Sequence, residues 1–137
     1  MKNHFYLRAY MAGVALPTMA LVPVLAGFVI LRFGYNVPIP IERGLVFPMA
    51  IVPGLWGLWN MLYLVVRKHW RIPLGVYGAL VPLLVGPIAL GNAFLLGFDI
   101  PRSILALFPA GVGAVMLAYY LLWKYVVGLF NRVLEID

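Results

Sequence analysis

The sequence predicts an all-α integral membrane protein: a four-transmembrane-helix, up-down antiparallel bundle with proline-kinked helices and a short C-terminal amphipathic helix. Three observations predict it. Of 137 residues, 65% are hydrophobic and only 10% charged, which is too little polar surface to cover a soluble domain of this size. The charged residues are clustered and leave four uncharged intervals, 9–31, 44–66, 72–98 and 103–123, of 23, 23, 27 and 21 residues. A hydrocarbon core about 30 Å thick takes roughly 20 helical residues, so each interval is long enough to span. The period-2 alternation of a membrane β-barrel is missing, and continuous apolar runs suit helices that satisfy their own backbone groups.

The chain therefore reads as one transmembrane domain over 1–137, with helices at 9–31, 44–66, 73–98 and 103–123 and a C-terminal segment at 124–137. The first apolar run follows Lys2 and Arg8 but is long for the core of a signal peptide. The connection at 32–43 is the longest; those at 67–71 and 99–102 are tight, so consecutive helices are antiparallel neighbours and no soluble domain is inserted. In the segment 124–137, Lys124, Gly128, Asn131, Arg132 and Glu135 share one face with apolar residues opposite. This is the pattern of a helix lying in the membrane interface, or alternatively of an extension of helix 4 packed on a partner subunit.

Basic residues orient the bundle. Lys2, Arg8, Arg67, Lys68, Arg71, Lys124 and Arg132 fall on one side and Arg32, Arg43 and Arg102 on the other, which places both termini in the cytoplasm. The bacterial inner (plasma) membrane is the expected location. The dense run Arg67, Lys68, His69, Trp70, Arg71 serves topology and interfacial anchoring; its sharper reading is contact with an anionic lipid head group through Arg67, Lys68 and Arg71. Nucleic acid is not an expected partner, since the basic residues are spread along the membrane edges.

Each helix carries a proline in the half away from the termini. Pro23, Pro53, Pro87 and Pro109 would each remove a donor and loosen the carbonyl four residues back, at Met19, Met49, Leu83 and Leu105. At 1.5 Å per residue they lie roughly 10 to 18 Å deep, in one layer. They are read as ordinary kinks, or alternatively as the walls of an outward-facing cavity. Pro48 and Pro53 in helix 2 match the five-residue spacing of Pro82 and Pro87 in helix 3, but Asn60 and Asn92 follow at different offsets, so a duplication is not established.

Chemistry inside the apolar intervals is sparse. They contain no Asp, Glu, Lys, Arg or His, the residues that proton relays and ion-coupled transport use. There are no cysteines, and His4 and His69 stand at the edges, so no metal, cofactor or catalytic group is expected. The remaining polar candidates are Thr18, Asn60, Asn92 and tyrosine hydroxyls. Asn60 is read as interhelical glue, or alternatively as a binding or permeation residue, level with Tyr119 and Tyr120 on helix 4 and near Tyr10 on helix 1. Helix 4 also carries Ala106, Ala110, Ala114 and Ala118 at intervals of four, a smooth stripe for close packing within the bundle, or alternatively against a second subunit.

Among small four-helix families, small multidrug transporters are similar in length and span count, but the glutamate embedded in their first helix has no counterpart at 9–31. Small fluoride channels share the helix count and a run like Asn92-Ala93-Phe94-Leu95-Leu96-Gly97, but their polar Thr-Thr-Phe-Ser stretch is missing. The sequence is assigned to no family. Its expected role is a non-enzymatic structural, assembly or interaction subunit of a membrane complex, with lipid, copies of itself or other membrane subunits as partners. The alternative is a small uncoupled channel or transporter using the proline-layer cavity, and a lipid-modifying enzyme ranks below both for want of catalysts.

Overall fold

The computed structural model describes residues 4–38, 50–95, 97 and 102–136, and among these there is no strand. The chain is all-helical. Helix α1 spans Phe5–Val29 and runs on through a wider π-helical turn, Ile30–Gly34. It stops where Asn36 takes a left-handed conformation, with φ of 53°. Asparagine tolerates that region, and the backbone bonds Tyr35 N–H to Ile30 O and Val37 N–H to Leu31 O close the end. Helix α2 spans Val52–His69, and its last turn carries Arg67 and Lys68, cations that complement the negative end of the helix dipole. Two long apolar helical stretches, Phe5–Gly34 of 30 residues and Pro109–Val133 of 25, are long and apolar enough to cross a membrane.

Three boundaries differ from the expected ones. The helix expected at 44–66 begins at Val52 in its described part and runs on to His69, with 44–49 outside the described residues. Pro53 is consequently the second residue of α2 and not a mid-helix kink. A proline in the first turn removes an N–H that has no helical acceptor, so it loosens nothing. The helix expected at 73–98 is two: α3, Leu74–Ala79, and α4, Val81–Leu95, separated at Leu80. There the backbone tightens to Leu80 N–H bonding Tyr77 O and Leu83 N–H bonding Leu80 O, and Pro82 follows in the first turn of α4. The separate interfacial helix expected at 124–137 is absent as such. Helix α5, Arg102–Leu121, passes through a π-helical stretch, Leu122–Val127, into α6, Gly128–Val133.

The chain groups into two compact units, the first Met1–Leu64 with Phe130–Asp137, the second Val65–Leu129. In the first, α1 and α2 are antiparallel and their backbones touch. A Cβ at Gly13 would fall on the Trp56 carbonyl oxygen and within 2.9 Å of Gly57 Cα, and one at Gly57 would meet the Tyr10 ring at 2.6 Å. Ala9 and Ala12 complete the small face of α1 and are fully buried.

In the second unit, the α3–α4 arm runs antiparallel to the α5 arm. The Tyr120 ring seats on Gly75, Trp123 covers Gly78, and the Tyr77 and Trp123 rings meet edge-on at 6.5 Å between centroids. The π-helical stretch turns Trp123 and Val127 inward together, both completely buried. Both units thus pair a glycine or alanine on one helix with bulk on the other.

The two kinds of glycine separate in mutation. Gly78→Ala places a methyl on the Trp123 indole and is expected to destabilise the protein by about 1–3 kcal/mol, as overpacking does. Gly113→Ala enters open space and should be neutral or stabilising by about 0.5–1 kcal/mol through helix propensity. Unfolding by SDS titration in mixed micelles, followed by tryptophan fluorescence, orders the two variants; equal loss in both would contradict the packing described.

Candidate functional site

The short contact between α1 and α2 brings a polar side chain within reach of a neighbouring backbone. Asparagine is too short to reach a carbonyl on another helix unless the backbones nearly touch, which Ala9, Gly13 and Gly57 permit. Asn60 Nδ2 donates 2.8 Å to the carbonyl oxygen of Ala9 and 2.8 Å to Asn131 Oδ1, so both of its hydrogens are used. Asn131 Nδ2 donates back to Asn60 Oδ1 at 3.3 Å. The two amides form a reciprocal pair, and both residues are fully buried.

Asn131 is held by the way its helix ends. Glu135 adopts the left-handed conformation, φ 55°, Glu135 N–H bonds Arg132 O, and Ile136 N–H reaches back 2.8 Å to Asn131 O. This is a Schellman termination, with the next residue, Ile136, tucked in at 2% exposure. Glutamate in that conformation costs about 1–2 kcal/mol where glycine would not. Arg8 of α1 offsets part of this by donating to the Leu134 carbonyl at 3.4 Å and pairing with Glu135 at 3.5 Å. The Glu135 side chain is 85% exposed, so the ion pair is worth between 0 and about 1 kcal/mol.

The cluster therefore joins α1, α2 and the C-terminal end of α6 at one point. Its buried groups are two side-chain amides, which neither exchange protons near neutrality nor attack carbonyl carbon, and Arg8 pairs with the exposed Glu135 carboxylate beside them. It is a fastening. Among the described residues, no group of three or more His, Asp or Glu side chains stands ready to hold a metal.

The other sequence candidates lie elsewhere. Thr18 is exposed and bonds the Val14 carbonyl of its own helix at 2.8 Å, which satisfies its hydroxyl without a second helix. Asn92 falls in α4, with its side chain outside those described. Tyr119 is half-buried on the inner face of α5. Pro23 lies inside α1, Pro87 inside α4 and Pro109 inside α5. A pocket of about 300 Å³ is lined by Arg32, Phe33, Asn36, Val37 and Pro38, none of them a layer proline. Lys68 and Arg71 are exposed and Arg67 is half-buried.

Ala106, Ala110, Ala114 and Ala118, read as a stripe for packing within the bundle or against a second subunit, are all exposed, and a Cβ at Gly111 or Gly113 would meet open space. At 100° per residue the stripe lies opposite Val112 and Met116, which are half-buried.

Asn131 was missed as a site residue because it looked like part of a wet helical face. Its signal was the single amide at the depth of Asn60, readable only once the π-helical stretch and the chain reversal at Glu135 are known. No family model, curated protein or solved structure matches the chain.

A double-mutant cycle tests the fastening. Asn131→Leu alone strips a buried amide of its partner and should cost about 1–3 kcal/mol. Adding Asn60→Leu should cost less than the sum of the two single changes, with a coupling of about 0.5–3 kcal/mol in denaturant or SDS unfolding. Strict additivity would mean the amides do not act as a pair.

Proposed function

We propose that the chain is an integral membrane protein of four spanning helices with both termini cytoplasmic, in the bacterial inner membrane, where it serves as a structural or assembly subunit, associating with copies of itself or with other membrane subunits. Membrane embedding is supported by the two long apolar stretches and by large apolar side chains left outside, among them Val22 at 72% exposure, Leu117 at 61% and Leu83 at 50%.

The observation that carries the subunit role is the exposed alanine face of α5. In lipid, leucine-rich surfaces gain nothing by meeting, because the tails are as apolar as they are. Small side chains do promote association, by letting backbones approach and gain van der Waals contact. Within the first unit this device is already in use at Gly13 and Gly57. On α5 the same kind of surface stands open. A non-enzymatic reading is further supported by the chemistry of Asn60 and Asn131, whose amide groups spend their hydrogen bonds on each other and on Ala9. The channel alternative draws no such support, since Pro53 stands in a first turn and drops out of the proline layer.

Two measurements test these statements. Cysteines replacing Asn36 and His69, both exposed in a chain without native cysteine, should be labelled from opposite sides of intact cells, Asn36 from outside. Equal labelling from one side overturns the topology. Ala114→Leu should weaken association by about 1–3 kcal/mol, roughly 5- to 150-fold, and shift the native mass toward smaller species while the melting temperature of the monomer holds. An unchanged native mass at every protein concentration would leave the stripe facing lipid and remove the subunit reading.

A further inference from the structure

The second unit carries exposed cations. Its sequence, Val65–Leu129, holds a single carboxylate, Asp99, which follows Arg71 by 28 residues. Lys68 and Arg71 are exposed, and among the described residues neither enters an ion pair. Arg71 sits at the apex of a tight turn, closed by the 2.8 Å bond from Ile72 N–H to the Trp70 carbonyl, two residues before Pro73, the N-cap of α3.

The fold adds a third cation, Lys124, that the sequence keeps 53 residues from Arg71. The Tyr120 ring and the Lys124 stem both rest on Gly75, where a Cβ would meet Lys124 Cβ at 3.1 Å. Gly75 follows Arg71 by four residues. The Lys124 ammonium stands over two aromatic rings, 5.1 Å from the Tyr125 centroid and 5.6 Å from that of Tyr120. Those rings hold the ammonium in place without cancelling its charge. Trp70, 68% exposed, and Tyr125, 59% exposed, flank the cations with amphipathic rings of the kind that settle at head-group depth.

We propose that Lys68, Arg71 and Lys124 form a binding site for the phosphate of an anionic phospholipid head group. The inference rests on the membrane reading above and deepens it by naming a ligand and the residues that take it. Arginine at a turn apex offers a fork of donors to phosphate oxygens, and two lysines supply charge around it. The flanking tryptophan and tyrosine accommodate the glycerol and upper acyl region. Free inorganic phosphate shares the charge but has no use for these exposed rings, which favours lipid.

The protein is reconstituted into vesicles of phosphatidylcholine, with and without phosphatidylglycerol, then extracted in mild detergent for native mass measurement of retained lipid. The wild type should enter both kinds of vesicle and keep phosphatidylglycerol in preference to phosphatidylcholine. Each of Lys68→Gln, Arg71→Gln and Lys124→Gln should reduce that preference about fivefold, and the triple variant should abolish it with an unchanged melting temperature. Arg32→Gln, a charge loss outside the unit, should retain it. Equal retention by the triple variant and the wild type overturns the site. So does displacement of the lipid by millimolar inorganic phosphate, which would make it a free-anion site. Failure to enter phosphatidylcholine vesicles at all would overturn the membrane reading itself, a result separable from loss of lipid preference.

Discussion

Everything in the first unit depends on how closely α1 and α2 approach. Gly13 and Gly57 let backbone meet backbone, and that separation is what a side chain as short as asparagine requires to reach the Ala9 carbonyl. The carbonyl has two lone pairs, and the helix uses one, so the second bond costs the helix nothing. A methyl at either glycine would push the helices apart and strand the Asn60 amide, which in an apolar setting costs more than the lost contact. Small residues and the buried amide are therefore one device. The glycines set the distance, and the amide makes that distance the only satisfactory one.

The second unit solves the same problem without a polar group. Gly75 and Gly78 lie under Tyr120 and Trp123, so the contact is flat backbone against a broad ring. Rings fill volume with few rotatable bonds, and the edge-on meeting of Tyr77 with Trp123 adds about 0.5–1.5 kcal/mol beyond area burial. The break at Leu80 fits this arrangement. A continuous helix would carry Gly75 and Gly78 on one slowly rotating face, whereas ending α3 after Ala79 lets α4 begin afresh with Val81 and Pro82 buried. The amide fastening and the aromatic cover place specificity in one unit and bulk in the other.

Much of this was legible in the sequence, and the remainder was hidden for physical reasons. Helical class followed from uninterrupted apolar runs, and the buried position of Asn60 from its being the lone amide in its interval. Proline was harder to read, because the residue type is the same whether it interrupts a helix or begins one. Pro82 and Pro53 begin helices and Pro87 lies inside one, a difference decided by where the preceding backbone stops. The alanine stripe was visible as a pattern, but periodicity says only that a face exists and not whether the fold covers it. Asn131 was hidden most deeply. A helical wheel assumes 100° per residue, and the π-helical stretch Leu122–Val127 resets that phase before Asn131 is reached.

The reciprocal amide pair also imposes an order in time. Asn60 and Asn131 are 71 residues apart, and the whole of the second unit is made between them. At about 5–20 residues per second, Asn60 waits some 4 to 14 s on the ribosome before its partner exists. During that interval α1 and α2 can meet through their glycines and the Ala9 bond, while the Asn60 carbonyl still lacks its answering amide. A chain interrupted anywhere in the second unit keeps that unanswered group. The fastening thus distinguishes a chain that has been made as far as α6 from one that has not, by a single buried pair.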